Sequence, residues 1–96
     1  MILDIKTGEV WNNKIKIRLT KNEMAALSAL NRKGVVPLTR IYEAVYKVKP
    51  AKLSKYDIRQ IYVLIARLRR KLRKCAVIYS RYGYGYEIEV KENGEI

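Results

Sequence analysis

Between Ile58 and Leu72, five aliphatic residues (Ile58, Ile61, Ile65, Leu68 and Leu72) recur at intervals of 3, 4, 3 and 4. An α-helix gathers such positions into one stripe, because its turn of about 3.6 residues returns them to the same side. The pattern therefore predicts a helix from about Tyr56 to Lys74 with one face packed against other elements. Projection at about 100° per residue sets Tyr56, Arg59, Gln60, Val63, Ala66, Arg67, Arg70 and Lys74 on the opposite face. That face carries no acid, whereas a merely solvated face mixes charges of both signs. Val63 and Ala66 sit between the cations and allow close approach. Such a surface can meet a thymine methyl while arginines read guanine edges.

The net charge of +12 is large for 96 residues, and it is unevenly placed. From Asn31 to Cys75 the chain holds fourteen of its 21 basic residues and only two acids, Glu43 and Asp57. Elsewhere seven bases face seven acids and cancel. The excess belongs to one segment, as a surface facing an anionic partner requires. Hydrophobic residues make up 49% of the chain, enough for a folded domain rather than a disordered one.

The remaining chain predicts an α+β fold. Ile2, Leu3 and Ile5, then Val10 and Trp11, then Ile15, Ile17 and Leu19 read as short antiparallel strands separated by Thr7-Gly8 and Asn12-Asn13. At Thr20 the period changes. Thr20 with Glu23 three residues later has the spacing of a capping box, and Met24, Leu27 and Leu30 follow at helical spacing. Gly34 is the expected C-terminal cap, and Pro37 suits the first turn of a second helix through Ile41 and Val45. Lys47 to Tyr56 reads as a loop carrying Lys47, Lys49, Lys52 and Lys55, with Ser54 and Asp57 as a second helix start. Strands Ala76–Tyr82 and Tyr86–Val90 flank the glycines of RYGYGYEIEV. Tyr42, Tyr46 and Tyr62 are assigned to packing in a core without phenylalanine, whereas Tyr82 and Tyr84 lie near a hairpin tip.

Catalytic chemistry finds few carriers. The chain has no histidine, which removes the commonest general base and most zinc ligand sets. Cys75 is the single cysteine and reads as packing at a helix end. A dinucleotide fingerprint would need glycine at Ile88 and a following helix, and a P-loop would need a GK[ST] triplet that is missing. The expectation is a non-enzyme with no metal and no cofactor. No apolar run approaches the roughly 18 residues that span a bilayer, and no secretory leader is visible, so a cytoplasmic location is expected.

The order of sheet, three helices and hairpin resembles the winged helix-turn-helix effector domain of OmpR/PhoB-type response regulators. The resemblance runs from Leu19 to Ile88. It rests on Leu19-Thr20-Lys21-Asn22-Glu23, on Val45-Tyr46, and on Arg59, Ile61, Val63, Ile65, Arg67, Leu68, Arg69 and Leu72 in the third helix. The wing's GxGY appears as Gly83-Tyr84-Gly85-Tyr86. The chain departs from the family at Pro37-Leu38, where Ser-Arg is common, and at Tyr62, a commonly acidic position. It departs also at Leu64, elsewhere polar or histidine, and in the wing, where Tyr82 takes the arginine's place and Arg81 precedes it.

The resemblance implies a sequence-specific transcriptional regulator that binds double-stranded DNA, with the third helix in the major groove and the wing near a minor groove. It implies contacts from Arg59, Val63, Arg67 and Arg70, and suggests a loop before the third helix that touches phosphates or RNA polymerase. Tandem or dimeric binding on DNA is also in keeping with the family. The expected organisation is one stand-alone domain without a receiver, comprising a sheet over 1–19, helices over 20–74, a wing over 76–90 and a tail over 91–96. Arg69, nearer the apolar stripe, is expected to be structural. Strict alternation sets Arg81 and Tyr82 on opposite faces, and Arg81 is expected on the DNA side. The competing reading is a protein-interaction adaptor on the same scaffold, contacting polymerase through the lysine loop. A basic amphipathic helix would also suit an anionic membrane, but its apolar stripe is expected to be covered by the first helix and sheet.

Overall fold

The computed structural model describes residues 1–91. The expected tail falls on residues 92–96, outside the described residues. Strands β1 (Ile2–Asp4), β2 (Glu9–Asn12) and β3 (Ile15–Arg18) form an antiparallel sheet in that order. Leu3, Val10 and Ile17 lie opposite one another across it and turn toward the core. The alternate residues Ile2, Trp11 and Lys16 form the outer row, where the Lys16 ammonium stands 5.3 Å from the Trp11 ring centroid. The two tight turns use left-handed backbone at Gly8 and Asn13, residue types that tolerate it.

Helix α1 (Lys21–Leu30) starts at a complete capping box. The Glu23 N–H donates to Thr20 Oγ1 at 3.2 Å, and the Thr20 N–H donates to Glu23 Oε1 at 2.9 Å. Its C-terminus corrects the sequence reading. The cap is Asn31, and Gly34, with φ of 95°, lies three residues further on in the following turn. Pro37 is likewise not in the first turn of α2 (Leu38–Tyr46) but is its N-cap. With Val36 it forms a two-residue strand, β4, which the sequence reading missed.

Strand β4 pairs with β6 (Gly85–Val90), which pairs in turn with β5 (Ala76–Arg81). The wing hairpin is thereby sewn to the entrance of α2. Gly85 makes this possible. A Cβ added there would stand 1.9 Å from the Val36 carbonyl oxygen, so only glycine lets the two strands meet. Its role is close approach; in the wing turn positive φ belongs to Gly83.

Helix α3 (Lys55–Leu72) begins one residue earlier than predicted and ends two earlier. Lys55 thus stands in its first turn rather than in the loop, and Lys74 lies in the turn beyond its end. Ser54 and Asp57 form the second capping box. Ile61, Leu64, Ile65, Leu68 and Leu72 are buried against a core that draws Val10 from the first sheet and Leu27 and Leu30 from α1, with Ile41 from α2 and Ile78 and Tyr86 from the wing. Tyr42 and Tyr46 pack beside it with ring centroids 4.6 Å apart. Cys75 is fully buried, as its packing role requires.

Candidate nucleic-acid interface

With its apolar face used, α3 turns the other outward. Arg59, Val63, Ala66, Arg67 and Arg70 are all exposed, and Gln60 is half-buried. Among the described residues, Arg59, Arg67 and Arg70 have no ion-pair partner and donate no side-chain hydrogen bond. Gln60 differs, because its amide nitrogen lies 2.8 Å from the Tyr56 hydroxyl on the preceding turn. Lys74 is exposed in the turn just beyond the helix end.

Two other cations of the same helix point elsewhere. The Lys71 ammonium donates to Glu23 Oε1 at 2.7 Å, and Glu23 is only 2% exposed. Burial pushes the Glu23 carboxyl up, but Lys71 and the Thr20 cap together outweigh burial and hold it below the usual glutamate range. Arg69 Nε donates to the Ile78 carbonyl at 3.0 Å and Arg69 Nη2 to Ser80 Oγ at 2.9 Å. Its guanidinium also lies 5.6 Å from the Tyr86 ring centroid. Arg69 is the strut between α3 and the wing.

The outward ridge of α3 runs between two clefts. On one side a cleft of about 640 Å³ is bordered by Lys21 and Asn22 of α1 and by Arg59, Val63 and Arg67. On the other side a smaller cleft of about 270 Å³ separates α3 from the wing, with Tyr62, Arg69 and Tyr84 along it. Tyr62 is 53% exposed, which corrects its assignment to the core. Helical projection already places it on the flank of the stripe, on the side of Ala66 and Arg69. The composition argument, a core short of aromatics, drew it inward.

The wing adds contacts that the sequence does not show. Pairing from Ala76↔Val90 to Arg81↔Gly85 is continuous, with no bulge to re-aim a side chain. Ile78, Ser80, Tyr86 and Ile88 therefore face α3 and the core, while Tyr79, Arg81, Glu87 and Glu89 form the outer row. Arg81 binds Glu87 at 2.8 Å and lies 5.0 Å from the Tyr79 ring centroid, and the Tyr79 hydroxyl donates to Glu89 at 2.8 Å. Arg81 is thus engaged with the outer row of the hairpin, and it also borders the cleft between α3 and the wing. Tyr82 stands fully exposed at the turn, with Tyr84 beside it. The Leu38 N–H donates to the Tyr84 carbonyl at 3.2 Å and fixes the backbone there.

In the connection between α2 and α3, Lys49 and Lys52 are exposed, and so are Lys47 and Lys55 at its two ends. Lys47 closes α2 in left-handed conformation, its N–H bonded to the Glu43 carbonyl. None of the four is in an ion pair among the described residues.

Three helices with a basic third one presented outward, followed by a hairpin sewn back to the second, define a winged helix-turn-helix DNA-binding domain. A family model described as transcriptional regulatory protein, C terminal, matches residues 13–88. The chain belongs to this family, the OmpR/PhoB-type DNA-binding regulators, which is not an enzyme family. No curated protein matches the chain. Among the described residues no helix is long and apolar enough to cross a membrane.

Proposed function

We propose that the chain acts as one domain that binds double-stranded DNA sequence-specifically and regulates transcription, with α3 in the major groove and the wing tip toward the neighbouring minor groove. The observation that carries this reading is the exposed row of Arg59, Val63, Ala66, Arg67 and Arg70, acid-free and without internal partners, on a helix whose opposite face is buried. Arginines so placed can form bidentate bonds to guanine, and Val63 and Ala66 are the size for thymine methyl contact. Gln60 stands at the edge of this row. Lys74 and the loop cations Lys47, Lys49, Lys52 and Lys55 are suited to phosphates, which orient a protein on the duplex without reading sequence. At the wing, Tyr82 and Tyr84 stand exposed at the turn, with Arg81 beside them in a surface ion pair with Glu87 that a phosphate can displace.

Selection of bound duplexes from a random pool tests the reading. A defined motif is expected, its affinity falling by about 0.9 log units per log unit of salt for each phosphate neutralised. Repeated half-sites in the selected motif would report tandem or dimeric binding. Equal affinity for selected and scrambled duplexes, together with co-purification of RNA polymerase, would instead make the domain an adaptor working through its lysine loop.

A further inference from the structure

The cleft between α3 and the wing is built from groups that suit an anion. Tyr62 forms one wall from α3 and Tyr84 the other from the wing turn, 53% and 59% exposed respectively. Arg69 lies along the cleft, held by the Ile78 carbonyl and Ser80. Those two bonds use Nε and Nη2 and leave Nη1, with its two hydrogens, for another acceptor. Both walls are fixed in place. Tyr62 sits in the middle of an 18-residue helix, and the Tyr84 carbonyl is bonded to the Leu38 N–H. Gly85, next to Tyr84, packs against the Val36 carbonyl where no side chain could fit.

We propose that this cleft is a phosphate-binding site, in which the Tyr62 and Tyr84 hydroxyls and the remaining face of the Arg69 guanidinium hold one phosphodiester of the DNA strand passing between helix and wing. The inference rests on the DNA-binding reading above and adds a site to it. In that reading, a strand running from the groove occupied by α3 to the groove faced by Tyr82 passes along this cleft. Tyrosine hydroxyls and arginine are ordinary donors to phosphate oxygens, and such contacts set register without sequence preference. The α3–wing strut thereby also becomes a ruler, fixing the distance between base reading and wing contact.

Wild-type protein, Tyr62→Phe and Tyr84→Phe are titrated with the selected duplex, a scrambled duplex, and copies of the selected duplex bearing one methylphosphonate at each backbone position. Loss of a single hydrogen bond is expected to weaken Tyr62→Phe and Tyr84→Phe by about 2- to 12-fold on both duplexes alike, with thermal unfolding unchanged. Wild type should be weakened by a methylphosphonate at one particular position, and Tyr62→Phe should be weakened less by the same change. Wild-type affinity in Tyr62→Phe would overturn the site while leaving the α3 reading intact. So would a loss confined to the selected duplex, which would make Tyr62 a base contact. If wild-type protein discriminates no duplex, the DNA-binding reading itself fails, and this site with it.

Discussion

Two sets of cations on one helix have opposite employment. Arg59, Arg67 and Arg70 point to solvent without partners among the described residues, whereas Arg69 and Lys71 reach inward to the wing and to α1. All five contribute equally to the net charge, and four of them fall within five consecutive residues. The difference is the angle around the helix axis. A step of one residue turns about 100°, so Arg69 and Arg70 cannot serve the same surface. The inward pair holds the scaffold and the outward set is free for a ligand, which makes stability and binding separable by mutation.

The largest effect is expected from Lys71→Ala, which strands the buried Glu23 carboxylate. Removing one partner of a fully buried pair costs about 3–5 kcal/mol; with Lys71 itself partly in water, about 2 kcal/mol of folding stability is the expected loss. Chemical denaturation measures it, and an unchanged midpoint would erase the distinction between the two sets. Next, Arg67→Ala should leave stability unaltered but cost about 1–3 kcal/mol of binding at the selected site if it makes a bidentate guanine contact. A loss of equal size on scrambled DNA would reduce Arg67 to a phosphate contact.

Arg69→Ala should lower stability by about 1 kcal/mol, with altered amide exchange localised to β5, because it removes side-chain bonds to Ile78 and Ser80. If binding fell while the wing amides stayed as protected as before, its role as a strut would be refuted. Acid offers a subtler probe. The folded Glu23 carboxyl is held below its ordinary range, so its contribution is complete above the unfolded glutamate pKa and is lost as pH falls through the folded value. Glu23→Gln should flatten that part of the stability profile. Smallest of all, Arg70→Ala should reduce the salt slope of binding by roughly 1 if the residue neutralises a phosphate.

Much of the fold was legible because it is written in local patterns. The stripe from Ile61 to Leu72 and both capping boxes depend on residues no more than four apart and appear where the spacing predicts, whereas Ile58 at the start of the predicted stripe is only half-buried. Strand β4 was not legible. Two residues carry no periodicity, and Pro37 beside them signals a helix start as strongly as a strand end. For the candidate site, the exposed row of α3 followed from projection alone. The pairing of Arg81 with Glu87 did not, because alternation assigns a residue to a face of the hairpin without saying what it will meet there.

The sequence by itself determined the helices, the two capping boxes and the segment that carries the charge, since each depends on neighbours along the chain. The tertiary structure alone decided which cations remain free. Glu23 meets Lys71 across 48 residues, and Arg69 reaches the wing through the packing of β5 on α3. It also decided why Gly85 is glycine, since the Val36 carbonyl that forbids a side chain there lies far away along the chain. Local preferences fix where a side chain sits on its own element. Only packing between elements fixes what that side chain will meet.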